Sequence, residues 1–165
     1  GVLASYQQDH GEDLYRRGLY TFIKLTVPPP SMILFDASNR DQCEVKRSKT
    51  NTPLQALMMM NDPLVMEASR VLAQRLLEEQ SASSEKITKA FRLIICRKPT
   101  AKEIAVLEGY FKEQQELYQQ KKSEAAIMIK KGEYPAAKKI DVNEQAALMK
   151  TIGAIYNLEE AITKT

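Results

Sequence analysis

Residues 50–77 read TNTPLQALMMMNDPLVMEASRVLAQRLL, and this stretch decides the fold. Thr52 and Asp62 each stand directly before a proline. A side chain that can accept a hydrogen bond, followed by proline, is typical of a helix N-cap and the first helical position. The stretch therefore predicts two consecutive helices, and a broad apolar stripe along the second predicts that it faces a core.

Further helices are predicted downstream by the same signals. Thr100 with Glu103, and Asp141 with Glu144, form capping-box patterns ahead of apolar residues at helical spacing. Long alternating apolar runs of the kind that strands show do not occur in the sequence. We therefore expect an all-α fold, an irregular bundle of five to seven helices that forms a single domain over residues 1–165.

The N-terminal third has a different pattern. Residues 12–26 carry apolar side chains at helical spacing and predict a first helix, which the three prolines at 28–30 stop. Residues 31–52 are polar and aperiodic, apart from a helical turn expected near residues 31–34. Loops of roughly 20 residues inside a domain are usually functional or disordered. The apolar residues in this one favour a long, ordered, Pro-rich and polar excursion.

Composition excludes several classes of protein. The 24 basic residues are nearly balanced by 21 acidic ones, and no basic face is concentrated enough to indicate nucleic-acid binding. Apolar runs such as residues 56–60 are at most five residues long, far shorter than the roughly 18 residues of a membrane span. Because the chain starts without a methionine or a leader, we expect it to begin inside a longer polypeptide or after a removed signal.

Signatures of catalysis and cofactor binding are missing from the sequence. His10 is the only histidine and lies in a polar stretch, and no Cys-x-x-Cys, phosphate-binding loop or Gly-x-Ser-x-Gly elbow occurs. We therefore predict no catalytic residue, no metal ligand and no cofactor in this domain, and we favour a non-enzymatic role. Cys43 and Cys96 could form a bridge, although two lone cysteines are more often small buried apolar residues.

A cluster of methionines admits two interpretations. Met58, Met59, Met60 and Met66 could form an adaptable binding surface or a copper site, because thioethers are flexible and favour soft metals. Methionines at helical spacing beside leucines more often fill gaps in a core, and we favour that interpretation.

The polar excursion and the segment before it contain the candidate binding residues. Arginine can hold an anion in a two-point contact and asparagine can bind sugar hydroxyls, so an anion or carbohydrate pocket is one hypothesis. We favour the other, in which the same groups tie the excursion to the helices through ion pairs and caps. The candidates are Arg16, Arg17, Asp36, Arg40, Arg47 and Asn51.

Five segments together resemble a known family, planctomycete secreted domain one, over nearly the whole chain. In order they are DLYRRGLY at 13–20, VPPPSMILFDA at 27–37, TNTPLQALMMMNDP at 50–63, AFRLIICRKPT at 90–100 and NLEEAIT at 157–163. The family is a domain of unknown function at the C-terminus of large exported proteins, commonly behind a planctomycete-type cytochrome c domain.

The resemblance implies an exported protein, periplasmic or extracellular, whose partners are the preceding domains of the same polypeptide. It also implies that the protein occurs together with polysaccharide-degrading proteins, which makes carbohydrate a candidate ligand. The resemblance weakens the case for a Cys43–Cys96 bridge. The favoured hypothesis is a non-catalytic structural or interaction module. The alternative is that arginines and carboxylates of residues 31–52 complete an active site or a sugar pocket shared with the preceding domain.

Overall fold

The computed structural model describes residues 7, 9–21, 23–24, 27–38, 45–46, 49–79, 81–136 and 139–163. The chain divides into two compact units, Gly1–Gln55 and Ala56–Thr165, and each is described by itself. Over the described ranges the secondary structure consists of eight α-helices, two 3-10 turns and one isolated β-bridge. The predicted all-α class is therefore confirmed, whereas the predicted number of five to seven helices is too low, because α1 and α8 are single short turns. The prediction of a single domain stays a prediction.

The first unit has two short turns where a helix over residues 12–26 is predicted, and that prediction is wrong. The 3-10 turns occupy Gly11–Tyr15 and Gly18–Tyr20. Arg16 and Arg17, which lie between them, have extended backbones. Tyr15 and Leu19, two described residues of the predicted apolar stripe, therefore lie in separate 3-10 turns and not on one face of a helix.

The exposure of this segment explains why it is not a helix. Leu19 is 71% exposed and Tyr15 is 49% exposed, so the apolar stripe gains little burial. Short helices are marginal in water without such packing. Gly18 would add a cost of about 1 kcal/mol relative to alanine in a helix interior.

Helix α1, Pro30–Leu34, confirms the helical turn predicted near residues 31–34. Proline suits the first position of a helix because the N–H that it lacks would have no helical partner there. The chain leaves α1 through Asp36, whose φ of 54° is left-handed. Residues 39–44 and 47–48 of the predicted excursion lie outside the described residues, so its order stays a prediction.

The division between the two units falls within helix α2, after Gln55. The remaining helices belong to the second unit. The bounds of these elements are α2 Pro53–Asn61, α3 Pro63–Glu78, α4 Ser83–Ile95, α5 Ala101–Gln120, α6 Lys122–Met128, α7 Val142–Tyr156 and α8 Glu159–Ile162.

Helix α7 lies at the centre of the second unit. Eight of its 15 residues are buried, and it packs against α3, α4, α5 and α6. Ala146, Ala147, Leu148 and Met149 are consecutive and point to different sides of the helix, and all are buried. A helix that is apolar on all sides is typical of a core position.

The other helices contribute one apolar face each to this core. Leu76 on α3, Phe91 on α4 and Phe111 on α5 are at most 3% exposed. Burying a side chain of this size stabilises a fold by about 1.5–3 kcal/mol. Among the described residues, no helix is long and apolar enough to cross a membrane.

Candidate functional site

The described binding candidates of the first unit lie in different local environments. Arg16 forms an ion pair with Asp13 at 2.7 Å, and both side chains are exposed. Arg17 and Asn51 are exposed as well. Arg40 and Arg47 lie outside the described residues.

A shallow depression of about 340 Å³ adjoins Arg16. Asp9 and Asp13 line it too, so two carboxylates accompany the guanidinium. Because carboxylates repel anions, the depression is a poor site for the anionic ligand that Arg16 alone would favour.

Asp36, the remaining described candidate of the six, fixes the segment that precedes α2. Its Oδ2 accepts hydrogen bonds from the backbone N–H and from the hydroxyl of Thr50, each at 2.7 Å. The left-handed backbone of Asp36 is one that aspartate adopts more readily than most residues. The carboxylate therefore ties the end of α1 to the start of the next helix.

Gln55 extends this tie and is 1% exposed. Its Nε2 donates to the carbonyl of Leu34 at 2.8 Å and to Oγ1 of Thr50 at 3.1 Å. Its Oε1 accepts from the backbone N–H of Thr52 at 2.9 Å, and its own N–H donates to Oγ1 of Thr52 at 3.3 Å. Thr52 and Gln55 thus form a reciprocal capping box, which satisfies donors that a helix start would otherwise leave without partners.

The three predicted caps of the second unit stand at helix starts. Oδ1 of Asp62 accepts from the N–H groups of Leu64 and Val65 at the start of α3. Thr100 forms a capping box with Glu103 at the start of α5. The side chain of Asp141 accepts from the N–H of Glu144 at the start of α7.

An arginine that the sequence reasoning missed joins three helices of the second unit. Arg97 follows Cys96, a free and exposed cysteine that ends α4 with a left-handed φ of 64°. Its Nη1 and Nη2 donate to the two carboxylate oxygens of Glu103 at 3.0 and 2.7 Å. Its Nε and Nη2 donate to those of Glu160 on α8, each at 2.8 Å. Cys43 lies outside the described residues.

The Arg97 guanidinium changes the protonation of both carboxyl groups. Hydrogen bonds from Arg97, then from the backbone and hydroxyl of Thr100, lower the pKa of Glu103 to about 2. The hydrogen bond from Arg97 also lowers the pKa of Glu160. Both therefore stay ionised at neutral pH. The guanidinium carbon also lies 4.9 Å from the ring centre of Phe91.

A second missed arginine, Arg70 on α3, is 1% exposed. Its Nε donates to the carbonyl of Lys131 at 2.9 Å and its Nη2 to that of Tyr134 at 2.6 Å. Glu67, also buried, accepts from the backbone N–H of Tyr134 and lies 3.7 Å from Nη2 of Arg70. The two side chains fix the loop that follows α6 onto α3, so their charges serve the fold.

The second unit also contains a cleft of about 370 Å³. Five of the seven methionines in the chain line it. They come from α2, α3, α6 and α7, and are Met59, Met60, Met66, Met128 and Met149. Three members of the methionine cluster singled out in the sequence therefore lie along one cleft.

A few polar groups interrupt the apolar lining of the cleft. Lys150, Tyr110, Ser69 and Asn157 belong to it. The Ser69 hydroxyl donates to the carbonyl of Val65 at 2.8 Å. Burial, and secondly the charge of Glu113, raise the pKa of Tyr110, so its hydroxyl stays protonated. In the part of the chain that the structure describes, no three His, Cys, Asp or Glu side chains are grouped to hold a metal ion.

The fold and these polar ties define an all-α structure in which Asp36, Arg70 and Arg97 serve internal contacts. The chain belongs to the PSD1 family, a protein of unknown function (DUF1553), whose family model matches residues 2–111. No curated protein and no solved structure matches the chain. The family match ends within α5, so the central helix α7 lies beyond it.

Proposed function

We propose that this chain is a non-catalytic structural and interaction module of an exported, cytochrome-linked multidomain protein. Apolar side chains that stay exposed at the start of the second unit carry the proposal. Leu57 and Met60, one turn apart on α2, are both 53% exposed, and Leu64 at the start of α3 is 45% exposed. Large apolar side chains grouped on a surface mark sites of protein contact.

The internal use of charge supports the same proposal. Arg97 is held by Glu103 and Glu160, and Arg70 binds backbone carbonyls. Asp36 is engaged by Thr50. The alternative, an active site or sugar pocket shared with the preceding domain, requires such groups to be available to a ligand. Arg16 and Asp36, which it would use, already bind neighbouring groups.

The cellular part of the proposal is tested on the native polypeptide. An antibody raised against this chain should detect a band in the periplasmic or extracellular fraction. The same band should stain for haem after denaturing electrophoresis, because c-type haem is attached covalently through a Cys-x-x-Cys-His motif elsewhere in the polypeptide. A cytoplasmic band without haem would contradict the proposal.

The interaction surface is tested by replacing Leu57 and Met60 together with serine in the native polypeptide. Limited proteolysis should then release the module faster than from the wild type, because the exposed apolar side chains no longer hold it on its neighbours. Leu93→Ser is the matched control, since Leu93 on α4 is 58% exposed. Equal release from all three proteins would show that Leu57 and Met60 are not an interface.

A further inference from the structure

The cleft in the second unit has the size and lining of a small-molecule site. Its volume of about 370 Å³ falls in the range of roughly 300–1,000 Å³ that such sites occupy. Most of its lining is apolar, and a small number of polar groups interrupt it. This combination gives a ligand both burial and orientation.

Small residues keep the cleft open on the α7 side. Gly153 and Ala154 line it, as does Ala56 of α2. A Cβ added to Gly153 would meet only Oγ of Ser69, at 3.9 Å. Protein interiors are normally packed to the density of organic crystals, so this unfilled room is a feature of the cleft. The methionines around it are unbranched and adaptable, and can close on an apolar guest.

Two polar groups of the lining can form a hydrogen bond or an ion pair with a ligand. Lys150 is partly buried and forms no ion pair with a carboxylate among the described residues. The Oδ1 of Asn157 is buried and has no hydrogen-bond donor in the described part of the chain. The Nδ2 of the same amide donates to the carbonyl of Ala56 over 3.3 Å, a long contact. A buried acceptor without a donor costs about 1–3 kcal/mol, which a ligand hydroxyl that donates to Oδ1 would recover.

The spacing of these two groups indicates the shape of the ligand. Lys150 and Asn157 are seven residues apart along α7 and its C-cap, which is about 10 Å along a helix axis. An extended chain of roughly eight carbons, at about 1.25 Å per bond, covers the same span.

We propose that the cleft binds a medium-chain carboxylate with a hydroxyl at its far end. The carboxylate pairs with the ammonium of Lys150, the chain lies among the methionine thioethers, and the hydroxyl donates to Asn157. The methionines then serve as adaptable apolar contacts. This inference does not depend on the proposed interaction with other domains.

The test is calorimetric titration of the 165-residue chain with 8-hydroxyoctanoate. We expect a Kd of roughly 10–100 µM, in keeping with a ligand of this size. Octanoate should bind several-fold more weakly because it lacks the hydroxyl, and octylamine should not bind because its charge repels Lys150. Tight binding of octylamine, or no binding of either carboxylate at millimolar concentration, would overturn the proposal.

Variants of the lining distinguish binding in the cleft from nonspecific hydrophobic binding. Lys150→Met should weaken binding of 8-hydroxyoctanoate about tenfold and leave that of uncharged 1,8-octanediol unchanged. Gly153→Ala should weaken both, because its methyl group enters the cleft. Gly109→Ala is the matched control, since a Cβ there meets nothing within 4 Å and Gly109 lies on exposed α5 surface. Wild-type affinity in both Lys150→Met and Gly153→Ala, with folding verified by circular dichroism, would refute the site.

Discussion

Arg97 and Glu160 meet across 63 residues of sequence, with Nε and Nη2 each donating at 2.8 Å to a different carboxylate oxygen. The same guanidinium binds Glu103 through two more hydrogen bonds. One arginine thus holds the C-terminus of α4, the first turn of α5 and the short α8. Two-point contacts of this kind are the stronger class of ion pair.

This arrangement predicts a loss of stability in acid. The pKa of Glu103 is lowered from 4.5 to about 2 in the folded chain, so the unfolded chain binds more protons between these values. The stabilisation is therefore complete above a pH of about 4.5 and is lost as the pH falls toward 2. Thermal melts followed by circular dichroism should show a wild-type Tm that falls through this window.

Arg97→Gln should lower the Tm at pH 7 and flatten its fall in acid, because the pKa of Glu103 returns toward its ordinary value. Arg92→Gln is the control, since Arg92 is exposed in the last turn of α4, the helix that precedes Arg97. Identical acid profiles for Arg97→Gln and the wild type would mean that the ion pairs make no net contribution, as many exposed pairs do.

Asp62→Ala should destabilise the chain by about 0.5–2 kcal/mol, because two N–H groups of the first turn of α3 lose their acceptor. For a chain of this length the Tm should fall by a few degrees. Asp62→Asn keeps an oxygen in the same place and should retain most of the stability. If Asp62→Ala has the wild-type Tm and the wild-type midpoint in urea unfolding, the cap contributes nothing to stability.

Gly132→Ala, in the loop after α6, should lower the free energy of unfolding. Gly132 has a φ of 87°, and a Cβ there would lie 2.3 Å from Cδ of the buried Glu67. The left-handed backbone alone costs an alanine about 1–2 kcal/mol, and displacement of Glu67 adds to it.

Gly109→Ala should have the opposite effect on stability when both variants are unfolded in urea. It should raise the free energy of unfolding by about 0.5–1 kcal/mol, since Gly109 lies in the helical interior of α5 with open space around it. A Gly132→Ala variant as stable as the wild type in urea unfolding would contradict the packing of Glu67.

Gln55→Leu should loosen the start of α2 within the first unit. The N–H of Thr52 and the carbonyl of Leu34 would lose their partner, at about 1–3 kcal/mol for each group that stays buried. Hydrogen exchange read by mass spectrometry should show faster exchange at Thr52. Gln55→Glu keeps the acceptor for Thr52 and loses the donor to Leu34, so protection at Thr52 should persist. Slow exchange at Thr52 in Gln55→Leu would contradict the role of the side chain.

Local chemistry was sufficient to locate the helix starts. α2 begins at Pro53, α3 at Pro63, α5 at Ala101 and α7 at Val142, each directly after a residue that the sequence singles out as a cap. Capping depends on neighbours within four residues, and such neighbours are visible in a single sequence.

Long-range contacts could not be found in the same way. Arg70 binds carbonyls 61 and 64 residues away, and nothing in the pattern of α3 distinguishes it from a surface arginine. The wrong helix over residues 12–26 has the same origin, because apolar periodicity indicates a helix only where a core receives the stripe. The cleft was partly visible as a run of methionines, but its polar ends lie on α7.

The position of α7 in the chain has a consequence for biosynthesis. The helix that fills the centre of the second unit, Val142–Tyr156, is synthesised after the other long helices of that unit. Until then α3, α4 and α5 present the apolar faces that later contact it. Unpaired apolar surface on a nascent chain attracts chaperones and promotes aggregation. Synthesis of this unit therefore includes a late closing step, in which α7 covers the apolar faces of α3, α4 and α5.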